Sequence, residues 1–269
     1  MTEVLLSGRG LLESPRWHDE RLYVSDWTTG EVLAIDRSGQ AEVAAEVASM
    51  PLCFSFLPDG RMVIVSATDR LLLGQKPDGT LVVLAELGAG YWNDVAVDGH
   101  GNVYVNRVDF TGAPGAVHVV TPDGHVRAVA GDLAFPNGMA VTPDNTTLIV
   151  ADSYGHSLVA FDIGADGGLS GRRVWAALGA GTPDGICVDV QGAVWYADVP
   201  NRCCVRVAEG GEVLRTVSLD RGGFACVLGG TTLYVAAAEW RGMNEEQMVA
   251  PGSGQVFAVP VAVPGAGWP

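Results

Sequence analysis

The sequence has little of several features on which large classes of proteins depend. Lys76 is its one lysine, which leaves almost no scope for Schiff-base chemistry. The five cysteines are an odd number and include no C-x-x-C pair, so reduced, buried thiols are a better interpretation than a disulfide framework or a zinc cluster. No run of about 20 apolar residues suits a membrane span, and the N-terminal segment, with Glu3, lacks the apolar core of a secretory signal. These absences predict a protein of the cytoplasm.

Positive charge is also scarce. The chain has 31 acidic and 16 basic residues and a formal net charge of −15. Such a surface repels phosphate backbones and anionic lipid headgroups, so we expect neither a nucleic acid nor a membrane as a partner. Apolar residues make up 48% of the sequence and charged residues 17%, which excludes intrinsic disorder. Because the chain has no linker-like stretch, we predict a single domain over residues 1–269.

Several catalytic motifs are missing. There is no G-x-S-x-G sequence, so the nucleophile elbow of an α/β-hydrolase has no support. The five histidines show no H-E-x-x-H spacing, which argues against a zinc metalloprotease helix. No segment has a sustained apolar period of about 3.6 residues, so helices should be few.

One pattern, in contrast, recurs six times along the chain. It consists of a short apolar strand, a turn containing Asp, Gly or Asn, and a second apolar strand, as in residues 95–105 and 139–150. The residues that precede the first strands follow one another at intervals of 39 to 47 residues: Glu13, Leu52, Asn93, Asn137, Asp184 and Gly223. This period is typical of four-stranded propeller blades.

We therefore predict an all-β fold, a six-bladed β-propeller of four-stranded blades. The last copy has one further strand, over residues 255–259, and the opening residues 3–6 can join that blade and close the ring. An all-β sandwich has strands of similar spacing, but it does not explain why one pattern returns six times in the same internal order.

The residues that begin the first strands carry the main chemical signal. The first strand of every propeller blade lines the central channel, so these positions converge at one mouth although they are far apart in sequence. Four of the six are oxygen donors: Glu13, Asn93, Asn137 and Asp184. Carboxylate and amide oxygens are the ligands that hard divalent cations prefer, and together at a channel mouth they are costly to desolvate without a cation. Because these four residues hold the same position in their repeats, we predict a metal site.

Three short phrases carry a resemblance to a known family. They are E-S-P-R-W at residues 13–17, P-N-G-M at 136–139 and P-D-G-I-C-V-D at 183–189. In this order they resemble the SMP-30/gluconolactonase/luciferin-regenerating enzyme family, over essentially the whole chain. The resemblance implies a six-bladed propeller that hydrolyses lactones with one divalent cation. It also implies that Glu13, Asn137 and Asp184 bind the cation and that Asn93 contacts substrate or a metal-bound water.

The sequence departs from this family at the substrate side of the site. Sugar-lactone hydrolases of the family tend to have an arginine two residues before the asparagine, where this chain has Tyr91. They also tend to have Gly-Thr where this chain has Asn106-Arg107. The predicted substrate contacts are Asn93, Tyr91, Trp92, Trp27, Arg107 and Tyr154. Their aromatic members would form a wall suited to an apolar or aromatic substrate, unless they pack between blades instead.

The ligand set suggests a mechanism. A bound cation (Ca²⁺, Mg²⁺, Mn²⁺ or Zn²⁺) would polarise the lactone carbonyl and stabilise the oxyanion of the tetrahedral intermediate. Asp184 is the predicted general base for the attacking water, with Asn93 as the second catalytic residue. A metal-bound hydroxide is the competing base, and Asp94 or Asp198 are less favoured substitutes.

Three other functions remain open on the sequence alone. The same cation site can serve a diisopropylfluorophosphatase-like hydrolase acting on phosphotriesters or other activated esters. The propeller can also be a non-enzymatic binding platform, because a fold alone does not define a function. The metal-free strictosidine-synthase-like branch is disfavoured by the full set of Glu13, Asn137 and Asp184. For an enzyme, we expect a small lactone or ester as partner and a monomer or weak homo-oligomer.

Overall fold

The computed structural model describes residues 2–242 and 248–267, and within them the chain is entirely β. Its 24 strands form six antiparallel sheets of four strands each. The innermost strands of successive sheets contact one another around a closed ring. This arrangement is a six-bladed β-propeller and confirms the predicted fold class.

The blades follow the chain order, with the strands of each given from the channel outwards. Blade 1 contains β2 (Leu12–His18), β3 (Arg21–Asp26), β4 (Glu31–Ile35) and β5 (Ala41–Glu46). Blade 2 contains β6 (Leu52–Phe56), β7 (Met62–Ser66), β8 (Leu71–Gln75) and β9 (Leu81–Glu86). Blade 3 contains β10 (Tyr91–Val97), β11 (Val103–Val108), β12 (Gly115–Val120) and β13 (Val126–Leu133).

The second half of the ring repeats this order. Blade 4 contains β14 (Pro136–Val141), β15 (Thr147–Asp152), β16 (Ser157–Ile163) and β17 (Leu169–Ala177). Blade 5 contains β18 (Pro183–Val188), β19 (Val194–Asp198), β20 (Cys203–Val207) and β21 (Val213–Ser218). Blade 6 contains β22 (Gly222–Gly229), β23 (Thr232–Ala238), β24 (Gly254–Pro260) and, as its outer strand, β1 (Glu3–Arg9).

The N-terminal strand closes the ring as predicted. Strand β1 pairs antiparallel with β24, with Glu3 opposite Ala258 and Arg9 opposite Gly254. The first strand of the chain therefore completes the last blade, and the backbone hydrogen bonds of this pair join the two ends of the propeller.

The hydrophobic core lies between neighbouring blades. Strands β6 and β7 are buried at every position, because the inner strands of a blade are covered on both faces by the adjacent blades. The outer strands alternate less regularly and are more exposed, as in β21. No helix long and apolar enough to cross a membrane occurs in the described ranges.

Candidate metal and substrate site

The innermost strands are irregular at the positions that carry the polar residues. The antiparallel register shifts between Glu13 and Arg16 in β2, and equivalent shifts occur at Trp92/Val95, Pro136/Met139, Pro183/Ile186 and Gly223/Ala225. Strand β6 pairs regularly, and the residue that begins it, Leu52, is apolar. Bulges of this kind redirect side chains near functional sites, so they explain how four of these five blades turn an acid or amide towards the axis. The fifth has Gly223 at the equivalent position.

A small pocket lies on the propeller axis and is lined by residues from all six innermost strands. Glu13, Asn93 and Asn137 line it directly, and the Nδ2 atom of Asn93 donates a hydrogen bond of 3.0 Å to Oδ1 of Asn137. The neighbouring residue of Asp184, Gly185, also lines the pocket, and the charges of Asp184 and Glu13 act on one another. The structure therefore brings the four predicted residues together.

Two glycines next to the predicted ligands allow the inner strands to approach closely. A Cβ atom added to Gly138 would lie 2.6 Å from the backbone oxygen of Asp184. One added to Gly185 would lie 2.4 Å from the Cβ atom of Ala225. The glycine that follows each predicted ligand, in the phrases N-G and D-G, is thus required because the neighbouring strand leaves no room for a side chain.

The pocket is strongly acidic. Burial raises the pKa of Glu13 from 4.5 to about 8, and the nearby charge of Asp94 adds to this effect, while the N–H of Ser14 and the charge of Arg16 oppose it. Burial also raises the pKa of Asp184 well above its usual value, and the charges of Glu13, Asp94 and Asp198 raise it further. Without an added positive charge, ionising all these carboxylates together is unfavourable.

Arg16 supplies the nearest positive charge, but Asp94 and the backbone occupy it. The guanidinium lies 3.5 Å from Oδ1 of Asp94 and donates to the carbonyl oxygens of Val95 and Pro15 at 2.6 and 3.0 Å. The other oxygen of Asp94 accepts the N–H of Met139 at 3.0 Å. Asp94 is therefore a link between β2, β10 and β14, which makes it a poor substitute for the base.

Asp198, the other substitute considered, also has a structural role. Its carboxylate is 1% exposed and accepts the N–H groups of Thr182 and Asn201 at 3.0 and 3.2 Å. It also accepts the side-chain amide of Asn201 at 2.9 Å. These bonds hold the loop that leads into β18, so Asp198 positions the strand carrying Asp184.

A hydrogen-bond network that sequence reasoning missed orients the Asn137 amide. Its Nδ2 atom donates to Oγ of Ser153 at 3.4 Å, and that hydroxyl donates to the carbonyl of Pro183 at 2.6 Å. Oδ1 of Asn106 accepts the N–H of Asp94 at 2.9 Å, and its Nδ2 atom donates to the backbone oxygen of Asn137. The position of Ser153 at the end of a second strand was the only signal in the sequence.

The donor set fits a divalent cation of the hard type. No cluster of three or more His, Cys, Asp or Glu side chains placed to hold a metal occurs in the described part of the chain. The predicted set differs from such a cluster because it combines two carboxylates, Glu13 and Asp184, with the amide of Asn137. Two desolvated acids beside amide oxygens, with Arg16 already engaged, suit an oxygen-binding ion such as Ca²⁺ or Mg²⁺.

The predicted aromatic wall is only partly present. Trp27 lines the pocket and donates its indole N–H to the carbonyl of Leu52 at 2.7 Å. Trp92 is 1% exposed and packs edge-on against His118, with ring centroids 4.9 Å apart. A side chain with almost no exposed surface cannot contact a ligand. Trp92 therefore packs inside the propeller and, contrary to the prediction, is not a substrate contact.

The remaining predicted contacts, Tyr91, Arg107 and Tyr154, do not line the axial pocket itself. Tyr91 and Tyr154 are 61% and 59% exposed. The side chain of Arg107 lies over the backbone of Gly90, where a Cβ atom would come within 2.3 Å of its Cδ atom. Arg107 therefore covers the chain just before Tyr91.

The fold and the axial pocket together define a class, the six-bladed propellers that gather acid and amide side chains on their axis. The model of the family described as "SMP-30/Gluconolactonase/LRE-like region" matches residues 11–239. The chain belongs to this family.

Named relatives and a solved structure agree with this assignment. The 6-deoxy-6-sulfogluconolactonase of Pseudomonas putida is 27% identical over 273 residues, covering 96% of this chain and 93% of the relative. The pentonolactonase XacC of Haloferax volcanii is 27% identical over 223 residues, covering 80% and 76%. The structure of a luciferin-regenerating enzyme superposes with a TM-score of 0.83 at 19% identity, covering 98% and 97%, which shows a shared fold.

Proposed function

We propose that this protein is a lactonase that uses a divalent cation to hydrolyse the ester bond of a lactone ring. The observation that carries the proposal is that Glu13, Asn93 and Asn137 line one axial pocket, with the buried carboxyl of Asp184 close enough for its charge to act on that of Glu13. Two relatives that cover most of the chain are named as lactonases, which supports lactone hydrolysis as the reaction class.

Each of the four residues has a distinct role in this proposal. Glu13, Asn137 and Asp184 hold the cation, which is Ca²⁺, Mg²⁺, Mn²⁺ or Zn²⁺. When bound, the cation supplies Lewis-acid polarisation of the lactone carbonyl and offsets the negative charge that develops on its oxygen. Ser153 keeps the Asn137 amide turned so that its oxygen faces Asn93 and the pocket.

The proton transfers are assigned to the protein's own groups. Asp184 accepts a proton from the water that attacks the carbonyl carbon. As the bond between the carbonyl carbon and the ring oxygen breaks, Asp184 returns the proton to that oxygen. The products are an alcohol and a carboxylic acid, which then loses its proton to solvent at neutral pH. Asn93 positions the lactone through its side-chain amide.

The test is hydrolysis of a lactone panel before and after metal removal. A strong chelator should abolish turnover, and one of the four cations should restore it. Glu13→Gln and Asp184→Asn should also abolish turnover while the circular dichroism spectrum stays that of the wild type. Full activity in a preparation shown by elemental analysis to be metal-free would overturn the cation requirement. Faster hydrolysis of a phosphotriester than of any lactone would overturn the substrate class.

A further inference from the structure

Four aromatic rings form a continuous row across blades 3 and 4. Tyr91 packs against Phe110 with centroids 5.1 Å apart, Phe110 against Phe135 at 5.7 Å, and Phe135 against Tyr154 at 4.6 Å. These distances are typical of aromatic pairs in contact. Sequence analysis had singled out the two end members but neither phenylalanine.

The row lies at the same end of the propeller as the axial pocket. Tyr91 precedes Asn93 by two residues, and Phe135 precedes Asn137 by two residues. Phe110 and Tyr154 each follow the second strand of their blade by two residues, and those strand ends pair with the starts of the innermost strands. The row therefore lies at the same end of the propeller as the pocket, beside the starts of the two innermost strands that carry Asn93 and Asn137.

Hydrogen bonds hold the loops of the row in place. The N–H groups of Phe135 and Ala134 donate to the two carboxylate oxygens of Asp152 at 2.7 and 3.1 Å, and the carbonyl of Phe135 accepts the N–H of Ser153 at 2.9 Å. The loop at Phe110 is tied through Asp109, whose Oδ1 accepts the N–H of Thr111 at 2.7 Å. A ring held in this way loses little conformational freedom when a ligand binds.

The row is also exposed to an unusual degree for aromatic side chains. Tyr91, Phe110 and Tyr154 are 61%, 52% and 59% exposed, while Phe135 is 8% exposed beneath them. Every aromatic residue among the exposed large hydrophobic side chains in the described ranges belongs to this row. The others are valines, a leucine and a methionine. Clustered exposed rings beside a pocket mark a binding surface.

We propose that this row, Tyr91–Phe110–Phe135–Tyr154, is a subsite for an apolar, planar substituent, so that the substrate is a lactone bearing an aryl group. The inference rests on the proposed lactonase function and names its substrate class. Apart from the hydroxyl groups of Tyr91 and Tyr154, the exposed surface of the row is ring carbon, so most hydroxyl groups of a polyol would lose water here without gaining partners. An aryl group gains stacking contacts and buries apolar surface instead.

The experiment compares two lactones that share one ring and differ in one substituent. These are γ-phenyl-γ-butyrolactone and γ-valerolactone, which carry phenyl and methyl at the same carbon and both release a secondary alkoxide. The wild type should prefer the phenyl lactone in kcat/KM. Phe110→Ala and Tyr154→Ala should each reduce this preference about five- to tenfold, mainly through KM. Tyr154→Phe, which keeps the ring, should retain it.

Two controls separate a subsite from a structural effect and from a failed function. Val213→Ala, at an exposed position of the outer strand β21, should change neither rate. Equal losses of kcat/KM on both lactones in Phe110→Ala and Tyr154→Ala would overturn the subsite. A wild-type preference for glucono-δ-lactone that these variants abolish would overturn it too. In both cases the lactonase function stands. If no lactone is hydrolysed, the proposed function fails. Binding of the phenyl lactone is then measured by saturation-transfer NMR, and absence of a signal would reject the subsite as well.

Discussion

Replacing Gly138 by alanine tests whether the close approach of two inner strands builds the site. A Cβ atom at this position would lie 2.6 Å from the backbone oxygen of Asp184, 2.6 Å from Cα of Gly185 and 2.7 Å from the backbone nitrogen of Ile186. All three contacts are with backbone, so no flexible side chain can move aside, and β14 must shift away from β18. This shift would separate Asn137 from Asp184.

The expected effects on stability and activity differ in size. Overpacking of this kind costs about 1–3 kcal/mol in unfolding free energy. The displacement of Asn137 from Asp184 should lower kcat/KM about 100-fold, because a misplacement of about 1 Å has such an effect on catalytic groups. The assays are urea denaturation and hydrolysis of the most reactive lactone in the panel, each with the restoring cation at saturation.

The chain offers a matched control for this substitution. Gly131 lies in the outer strand β13, is exposed and has no atom within 4 Å of an added Cβ. Gly131→Ala should be neutral or should stabilise the protein by roughly 0.5 kcal/mol, since glycine is unfavourable inside a strand. If Gly138→Ala matched Gly131→Ala in both stability and kcat/KM, the contact between β14 and β18 would not be what assembles the site.

Three further predictions concern the same pocket. In the presence of a chelator, the free energy of unfolding should fall as pH rises from about 4.5 to about 8, because Glu13 stays protonated in the folded state over this range and ionises in the unfolded state. In thermal melts Glu13→Gln should flatten this pH dependence, and an unchanged slope in the variant would contradict the prediction. Ser153→Ala should weaken cation binding about tenfold in calorimetric titration by releasing the Asn137 amide, whereas unchanged affinity would mean that Ser153 does not orient it. Asp198→Ala should lower the unfolding free energy by about 1–3 kcal/mol, because it leaves the N–H of Thr182 without its acceptor, and the variant should still bind one cation. Loss of cation binding with unchanged stability would instead make Asp198 a ligand.

The fold was predictable because its signal is repeated and local. Each blade needs neighbours to cover its faces, so the same strand pattern recurs with a nearly constant period around the whole ring. The pairing of β1 with β24 was also predictable, because the last copy of the pattern lacks one strand and the first residues are apolar and unassigned.

The polar residues of the pocket were predictable for a related reason. Glu13, Asn93, Asn137 and Asp184 occupy one phase of the repeat, so converging strands carry them to one place. The role of Ser153 was not predicted, because a lone serine after a strand looks like any turn residue. Its role depends on the carbonyl of Pro183, which is 30 residues away in the sequence.

The adjacent residues Tyr91 and Trp92 show where sequence reasoning reaches its limit. Both were predicted to contact substrate, yet one is 61% exposed and the other 1%. Successive residues of a strand point to opposite sides of the sheet. Whether Tyr91 or Trp92 points to solvent therefore depends on the strand register, which the bulge before Val95 interrupts. Phe110 and Phe135 were missed because their contact joins two blades.

The propeller and the kinds of oxygen atoms at its axis could be predicted from the amino-acid sequence, because both follow from the repeat period and from residue type. Three features became visible only in the folded chain: the ion pair of Arg16 with Asp94, the hydrogen bond by which Ser153 orients Asn137, and the choice of aromatic rings that face outwards. These features depend on bulges and on contacts between blades, where a shift of one residue reverses the direction of a side chain.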